Sequence, residues 1–426
     1  MKSRATAILL LGCLLTAALP ADRPAGSAAS GRFQSLLTRM HQAYSHADWK
    51  DYRAESLELL RFLNGSPDAM LELARADART GDSHAALEEL RAIARTGISQ
   101  PQAGTLPEFF GMRAQAGFRD VLREMSANER PVAHAQRAFV ISDAGLLPED
   151  LAYDPTTREF LLTSVREARV VTIAPGGNLQ TFARAPDGWP MLAVRVDPRH
   201  GLVWVTEVAL TGFRSVPPRD WGRSIILEYE LRSRRLLRRV AGPPRSQLGD
   251  MALSPAGDLL LSDSERGGMY LVRRNDPKLM RLPTDDFVSP MTPAFVSPYS
   301  AFVADYVRGI ALLDLTSGRV EWLPMESRYA LQGTDGLYWN AGRLIAVQNG
   351  FVPQRIVSFT LEPGCNCISS GRLIESGTTD LDPTHGVIVA GSFYYIANSG
   401  WSELTDDGSV RPGARLSPAV IMRARL

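Results

Sequence analysis

Lysine is nearly missing from this chain of 426 residues: it stands only at positions 2, 50 and 278, and arginine supplies the remaining positive charge. We read that skew as codon bias without functional meaning. Neither sign is in excess, with Lys+Arg 47 against Asp+Glu 46, which excludes nucleic acid and anionic membranes as bulk electrostatic partners. Cysteine occurs only as Cys13, Cys365 and Cys367, too few for a disulfide framework. There is no Gly-rich phosphate loop, no G-x-S-x-G elbow and no HExxH helix. Long apolar runs are also missing beyond residues 5–19, so no transmembrane helix is expected in the mature chain. What is present is enough apolar and aromatic residue, 45% hydrophobic, to exclude a disordered protein. The length suits two or three domains.

Lys2 and Arg4, the apolar run Ala5–Leu19 and a small residue at Ala21 read as a secretory signal peptide, residues 1–21. The chain is then exported, periplasmic or secreted. Leu10-Leu11-Gly12-Cys13 also resembles a lipobox, so anchoring through a lipidated Cys13 is the alternative. Residues 22–32 read as a flexible leader.

Two periodicities follow. Over residues 33–130 apolar residues recur at helical spacing, as in Leu36, Leu37, Met40 and Tyr44. Asp48 returns as Asp82 and Pro67 as Pro101, a register of 34 residues that matches the tetratricopeptide period. A TPR-like helical domain is expected, with a generic helical bundle as the alternative. From residue 137 to 426 the pattern becomes short β-rich strands between Gly, Pro and Asp turns. Six strong strands, residues 160–164, 203–207, 259–263, 301–305, 344–349 and 393–398, recur at about one blade length. That predicts an all-β six-bladed propeller, closed by pairing residues 138–141 with 420–424.

Segments LPEDLAYDP (147–155), GDMALSPAGDLLLSDS (249–264), AFVADYVRGI (301–310), TDGLYWNAGRLIAVQNG (334–350) and DPTHGVIVAGSFYYIANSGW (382–401) resemble the SMP-30/gluconolactonase-like propellers, also related to strictosidine synthase-like proteins. The resemblance implies a divalent cation (Ca, Zn or Mn) at the tunnel mouth that helps to hydrolyse a lactone or sugar-like ester. By the same resemblance Glu149 matches the first-blade Glu ligand and Asp335 the "DG" Asp ligand. Two Asn ligands of the family are replaced, one in Gly249-Asp250 and one in Pro290-Met291-Thr292.

The repeat by itself gathers Glu149, Asp150, Asp250, Asp335, Asp382 and His385 at one mouth of the tunnel. Numbering the blades around the ring places His385, from blade six, between Glu149 and Asp335. Glu149, Asp335 and His385 are therefore the expected metal ligands, and Asp250 and Asp335 the expected catalytic residues. Asp150 and Asp382 read as turn residues. Asp263, Asp305, Asn349 and Asn398 read as ties between a strand and its loop, and Arg355 as one member of a surface or inter-blade ion pair. Cys365 and Cys367 are left as a loop disulfide or a free pair. The rival to an enzyme is a binding protein, with a ligand in the propeller and a protein or peptide partner on the TPR-like helices. The export reading is checked on the secreted protein: mass spectrometry should place the mature N-terminus near Asp22, and a diacylglyceryl group on Cys13 would overturn it.

Overall fold

The computed structural model describes residues 26–174, 177–324 and 328–426; the expected signal peptide, Cys13 and residues 22–25 lie outside the described residues. Five α-helices come first among these: α1 (Ala28–Ser45), α2 (Trp49–Phe62), α3 (Pro67–Thr80), α4 (Ser83–Arg95) and α5 (Ala116–Asn128), with 3₁₀ turns at Ala103–Thr105 and Pro107–Met112. Asp48 caps α2 by accepting from Asp51 N at 3.1 Å, and Asp82 caps α4 by accepting from Ala85 N at 3.0 Å. The 34-residue recurrence of aspartate is thus a recurrence of N-caps. Consecutive helices pack on one another, and they form a helical array in which a tetratricopeptide repeat is not shown. No described helix is long and apolar enough to cross a membrane.

The array has a polar interior. Arg75 lies 2.7 Å from Glu72 and 3.0 Å from Glu108, and Tyr44 donates to Glu108 at 2.6 Å. Glu108 belongs to the Pro107–Met112 turn, so the chain's own turn occupies that face of α3.

From residue 132 onward, six antiparallel sheets are arranged as blades around an axis. Their second strands, such as Leu259–Asp263 and Ser300–Asp305, are buried almost throughout. That explains the continuous apolar runs: each such strand has a neighbouring sheet on both faces. Blade six combines both ends of the propeller, with Gln136–Val140 hydrogen-bonded to Val420–Arg425 in the register Phe139↔Ile421. Blade five gains a fifth strand from Val132–Ala133, paired to Glu375 and Ser376. Cys365 and Cys367 are joined as a disulfide in the loop between the strands Arg355–Leu361 and Ile368–Ser376 of the same blade.

Helices and propeller share their cores. Ala330 and Phe351 pack into the α3–α5 cluster, and Val288 packs with α1 and α2. Polar ties frame these contacts: Ser99 N donates to Val352 O at 2.6 Å, Gln332 Nε2 to Leu63 O at 2.9 Å and Arg308 Nε to Phe62 O at 3.1 Å. Arg355, expected in a surface or inter-blade ion pair, is instead 2% exposed and has no carboxylate partner among the described residues. Its guanidinium donates to Thr96 O at the end of α4 (3.1 Å) and to Gln348 Oε1 (2.7 Å). The cation thereby satisfies helix C-terminal carbonyls, where positive charge is favourable. Burial pulls its pKa down to about 10.

The shared core implies that array and propeller unfold together. Phe351→Ala should cost about 3–5 kcal/mol, and calorimetry should still show a single transition. A change under about 1 kcal/mol, or two separated transitions, would contradict the shared core.

Candidate functional site

Each first strand of a blade runs along the axis, so the residues at its start meet at one mouth of the tunnel. Glu149 and Asp150 open the first strand of blade one, Asp250 that of blade three, Thr292 lies early in blade four, and Thr334-Asp335 open blade five. His385 stands immediately before Gly386, where the inner strand of blade six begins. Below them lies an open pocket of about 380 Å³, lined by residues such as Leu151, Arg195, Ala252, Thr292, Pro293 and Tyr338. Polar side chains from five blades form a layer where these inner strands begin.

The centre of that layer is His385, with only 3% of its side chain exposed. Its Nδ1 is 3.0 Å from the carbonyl oxygen of Glu149, and its Nε2 is 2.7 Å from Asp250 Oδ1 and 3.0 Å from Thr292 Oγ1. Thr292 donates to Asp250 Oδ1 at 2.6 Å. Carboxylate oxygens of Glu149 and Asp335 each lie 3.9 Å from a ring nitrogen. One ligand-type atom from each of Glu149, Asp335 and His385 falls within 4.8 Å of the other two, so the structure brings together the three residues that the repeat numbering placed side by side. Asp250 joins them from blade three, on the far side of the ring. Asp150, read as a turn residue, instead pairs with Arg195 of blade two and accepts from Val194 N at 2.9 Å. Asp382, also read as a turn residue, instead accepts from Ser399, Gly400 and Ser402, in the loop beyond the strand Ser392–Ile396.

Sequence reasoning missed most of the rim. Asn349, read as a strand tie, donates to Asp335 Oδ2 at 2.7 Å and accepts from Tyr306 at 3.0 Å. The Tyr306 ring reaches it because residue 350 is glycine: a Cβ there would lie 2.9 Å from the ring and 2.5 Å from the Cα of Gly333. Trp401 donates its indole N–H to Glu149. The helical array rests on this same face, and Asp68 of α3 acts electrostatically on Tyr306 together with Asp335. Asp263, Asp305 and Asn398 do tie strands to loops, as when Asp305 accepts from Val288 N and Ser289 N. The repeated polar strand end gave no sign that Asn349 alone faces the mouth.

Burial and the neighbouring carboxylates push the Glu149 carboxyl up to about 8 and Asp335 up to about 6, against the opposing pull of His385. For His385, burial works against the charge, but Asp335 and Asp250 outweigh it and raise its pKa well above 6.5. Asp250 goes the other way: burial opposes its charge, and His385 more than compensates, lowering it. The donor set fits a divalent cation poorly. Both nitrogens of His385 are already engaged, and Asp250 is turned to the ring. Gly249 has no side chain to offer, and Met291 packs between blades four and five. Two carboxylates remain where the resemblance implies four ligands.

No family model matches the chain, and no curated protein matches it. Among solved structures the chain is similar to a PQQ-bound aldose sugar dehydrogenase from Streptomyces coelicolor, with 12% identity, 69% of this chain and 99% of that one covered, and TM-score 0.49. It is also similar to a virginiamycin B lyase from Staphylococcus aureus (14%, 68% and 88%, TM-score 0.46) and to a gluconolactonase from Xanthomonas campestris (13%, 71% and 93%, TM-score 0.45). At these values the likenesses carry no argument about chemistry, and the six-bladed fold stands on the strand ladders themselves.

The raised carboxyls make stability fall with rising pH. Glu149 (about 8), Glu207 (about 7), Asp335 (about 6) and Asp68 (about 6) hold protons in the folded chain after the unfolded chain has released them. Each therefore adds stability at low pH that is lost as pH rises to its folded value. His385, also raised, adds stability below about 6.5 that is lost only through its higher folded value. From pH 5.5 to 8.5 all five act in one direction, so stability should drop by on the order of a few kcal/mol, and the melting temperature with it. Glu149→Gln should flatten the drop; a melting temperature that rises over this range would refute the assignment.

Proposed function

We propose that this chain is an exported hydrolase of a small lactone or related ester of sugar-like polarity, acting at the mouth of the propeller tunnel. One observation carries the reading: Asp335 and Glu149, two carboxyls whose environments separate their pKa values, face each other across His385 within 4.8 Å. One water spans such a gap. A pair separated in this way divides the work of base and acid.

Asp335, ionised at neutral pH, takes the proton of a water whose oxygen adds to the ester carbonyl. Asn349 holds one oxygen of Asp335, and the other lies 3.9 Å from Nε2 of His385. Glu149, protonated up to about pH 8, gives its proton to the departing alkoxide as the C–O bond breaks. The charge on His385 offsets the oxyanion from below, and Asp250 holds that ring in place. Asp250 is in this reading a positioning residue. A divalent cation bound here would polarise the carbonyl and acidify water; the donor set gives no reason to route a step through one. The disulfide in the blade-five loop suits the oxidising compartment that export implies. The helices are assigned to the roof beside the mouth and not to docking of a partner peptide, because Tyr44 and Arg75 are already taken by Glu108.

The test is a panel of sugar and aryl lactones. With a working substrate, kcat/KM should be bell-shaped in pH, rising as Asp335 ionises near 6 and falling as Glu149 loses its proton near 8. Asp335→Asn should lower kcat by about 10²–10⁴-fold, and Glu149→Gln should remove the alkaline limb. Saturable binding of lactones or sugars without turnover would replace the enzyme by a binding protein.

A further inference from the structure

We propose that His385 stands in the funnel as an imidazolium, a cation supplied by the protein in the place where the sequence resemblance implies a divalent metal ion. The argument is a count of hydrogens. A carbonyl oxygen only accepts, so Nδ1, 3.0 Å from Glu149 O, carries a proton. Thr292 has one hydroxyl proton and donates it to Asp250 Oδ1 at 2.6 Å. Nε2 then faces only acceptors, the same Asp250 oxygen at 2.7 Å and the Thr292 oxygen at 3.0 Å. A bare Nε2 would press its lone pair against a carboxylate in a buried place. The geometry is satisfied when Nε2 also carries a proton.

The surroundings give that charge its partners. Asp250, Asp335 and Glu149 face the ring from blades three, five and one. Tyr338 is close enough to act on it electrostatically, and Arg195 is held off by its own pairing with Asp150. The departures from the family pattern have a shared physical account. Beside the lost amide ligands stand Asp250 and Thr292, and these are the two side chains that hold Nε2. A site that has lost two neutral amide ligands and holds a carboxylate and a hydroxyl beside their places is suited to N–H donors. An imidazolium with both protons engaged has no lone pair to give a metal, and it needs no open coordination position to place positive charge beneath a carbonyl. The funnel is thus a metal-independent site. Chelation would leave its chemistry intact.

The inference concerns the ring itself, so its test separates from that of hydrolysis. Nitrogen NMR on the full chain with ¹⁵N-labelled histidine, assigned with His385→Gln, should show both ring nitrogens of His385 protonated at pH 7.5. Protein freed of metal by chelation should then show no shift in melting temperature with Ca²⁺, Mn²⁺ or Zn²⁺, since an ion that bound the folded state would raise it. His385→Asn, which leaves three carboxylates without their cation, should gain at least tenfold in Mn²⁺ affinity over the parent. A pyridine-type nitrogen in the parent, or stoichiometric Zn²⁺ or Mn²⁺ whose binding removes a ring proton, would overturn the proposal. If His385→Asn does not fold, the parent spectrum and parent metal titration still decide it. Absence of lactone turnover would sink the hydrolase reading and leave the imidazolium untouched.

Discussion

Closing six sheets into a ring is the constraint from which the rest follows. A ring has no free edge only if its last blade borrows a strand from the start of the chain, and Gln136–Val140 provides it against Val420–Arg425. Once closed, every second strand is enclosed between two sheets and must be apolar on both faces, as Leu259–Leu261 and Ala301–Ala304 are. The first strands are forced onto the axis, where six backbones converge and their opening residues face one another. Residues separated by up to about half the chain become neighbours there: Glu149, Asp250 and Asp335 all approach His385.

Convergence on a narrow axis sets an electrostatic problem. Carboxylates from blades one, three and five come within 4 Å of one ring, and burial removes the water that would screen them. The layer is solved by pairing. Asp150 takes Arg195, Asp250 takes His385 and Thr292, and Glu149 and Asp335 are left with neutral donors, Trp401 and Asn349. That division explains why Asp250 titrates low while Glu149 and Asp335 titrate high: only Asp250 is bonded directly to the cation. The two carboxyls left short of charge are the two to which the proposed chemistry assigns the base and the acid.

The helical array contributes to this arrangement from outside. Phe351, two residues beyond Asn349, is embedded in the helical core. Val352 accepts from Ser99, and Arg355 closes the end of α4. The loop that carries Asn349 to Asp335 is therefore anchored on helices, which ties the mouth to the N-terminal half of the protein. An isolated propeller would expose Phe351 and Ala330 and strip the Arg355 guanidinium of its helix-end acceptors, Thr96 and Gly97.

Periodicity along the chain was sufficient for the two architectures. Helical spacing ends near Met125, strand cadence repeats six times, and the pairing of the chain ends follows from counting blades. The position of His385 between Glu149 and Asp335 followed from the same count, because a ring makes blade five and blade one neighbours of blade six. Local sequence could not reveal which polar residues point inward. Asn349 and Asn398 occupy equivalent strand ends, yet one bonds Asp335 and the other bonds Val420 N. Arg355 looked like a surface charge because its acceptors, Thr96 and Gly97, are backbone carbonyls far away in the chain and have no side-chain signature. Nor could the protonation of His385 be read from residue types. It depends on which acceptors surround each ring nitrogen, and three-dimensional closure alone brings Glu149, Asp250 and Thr292 to that ring.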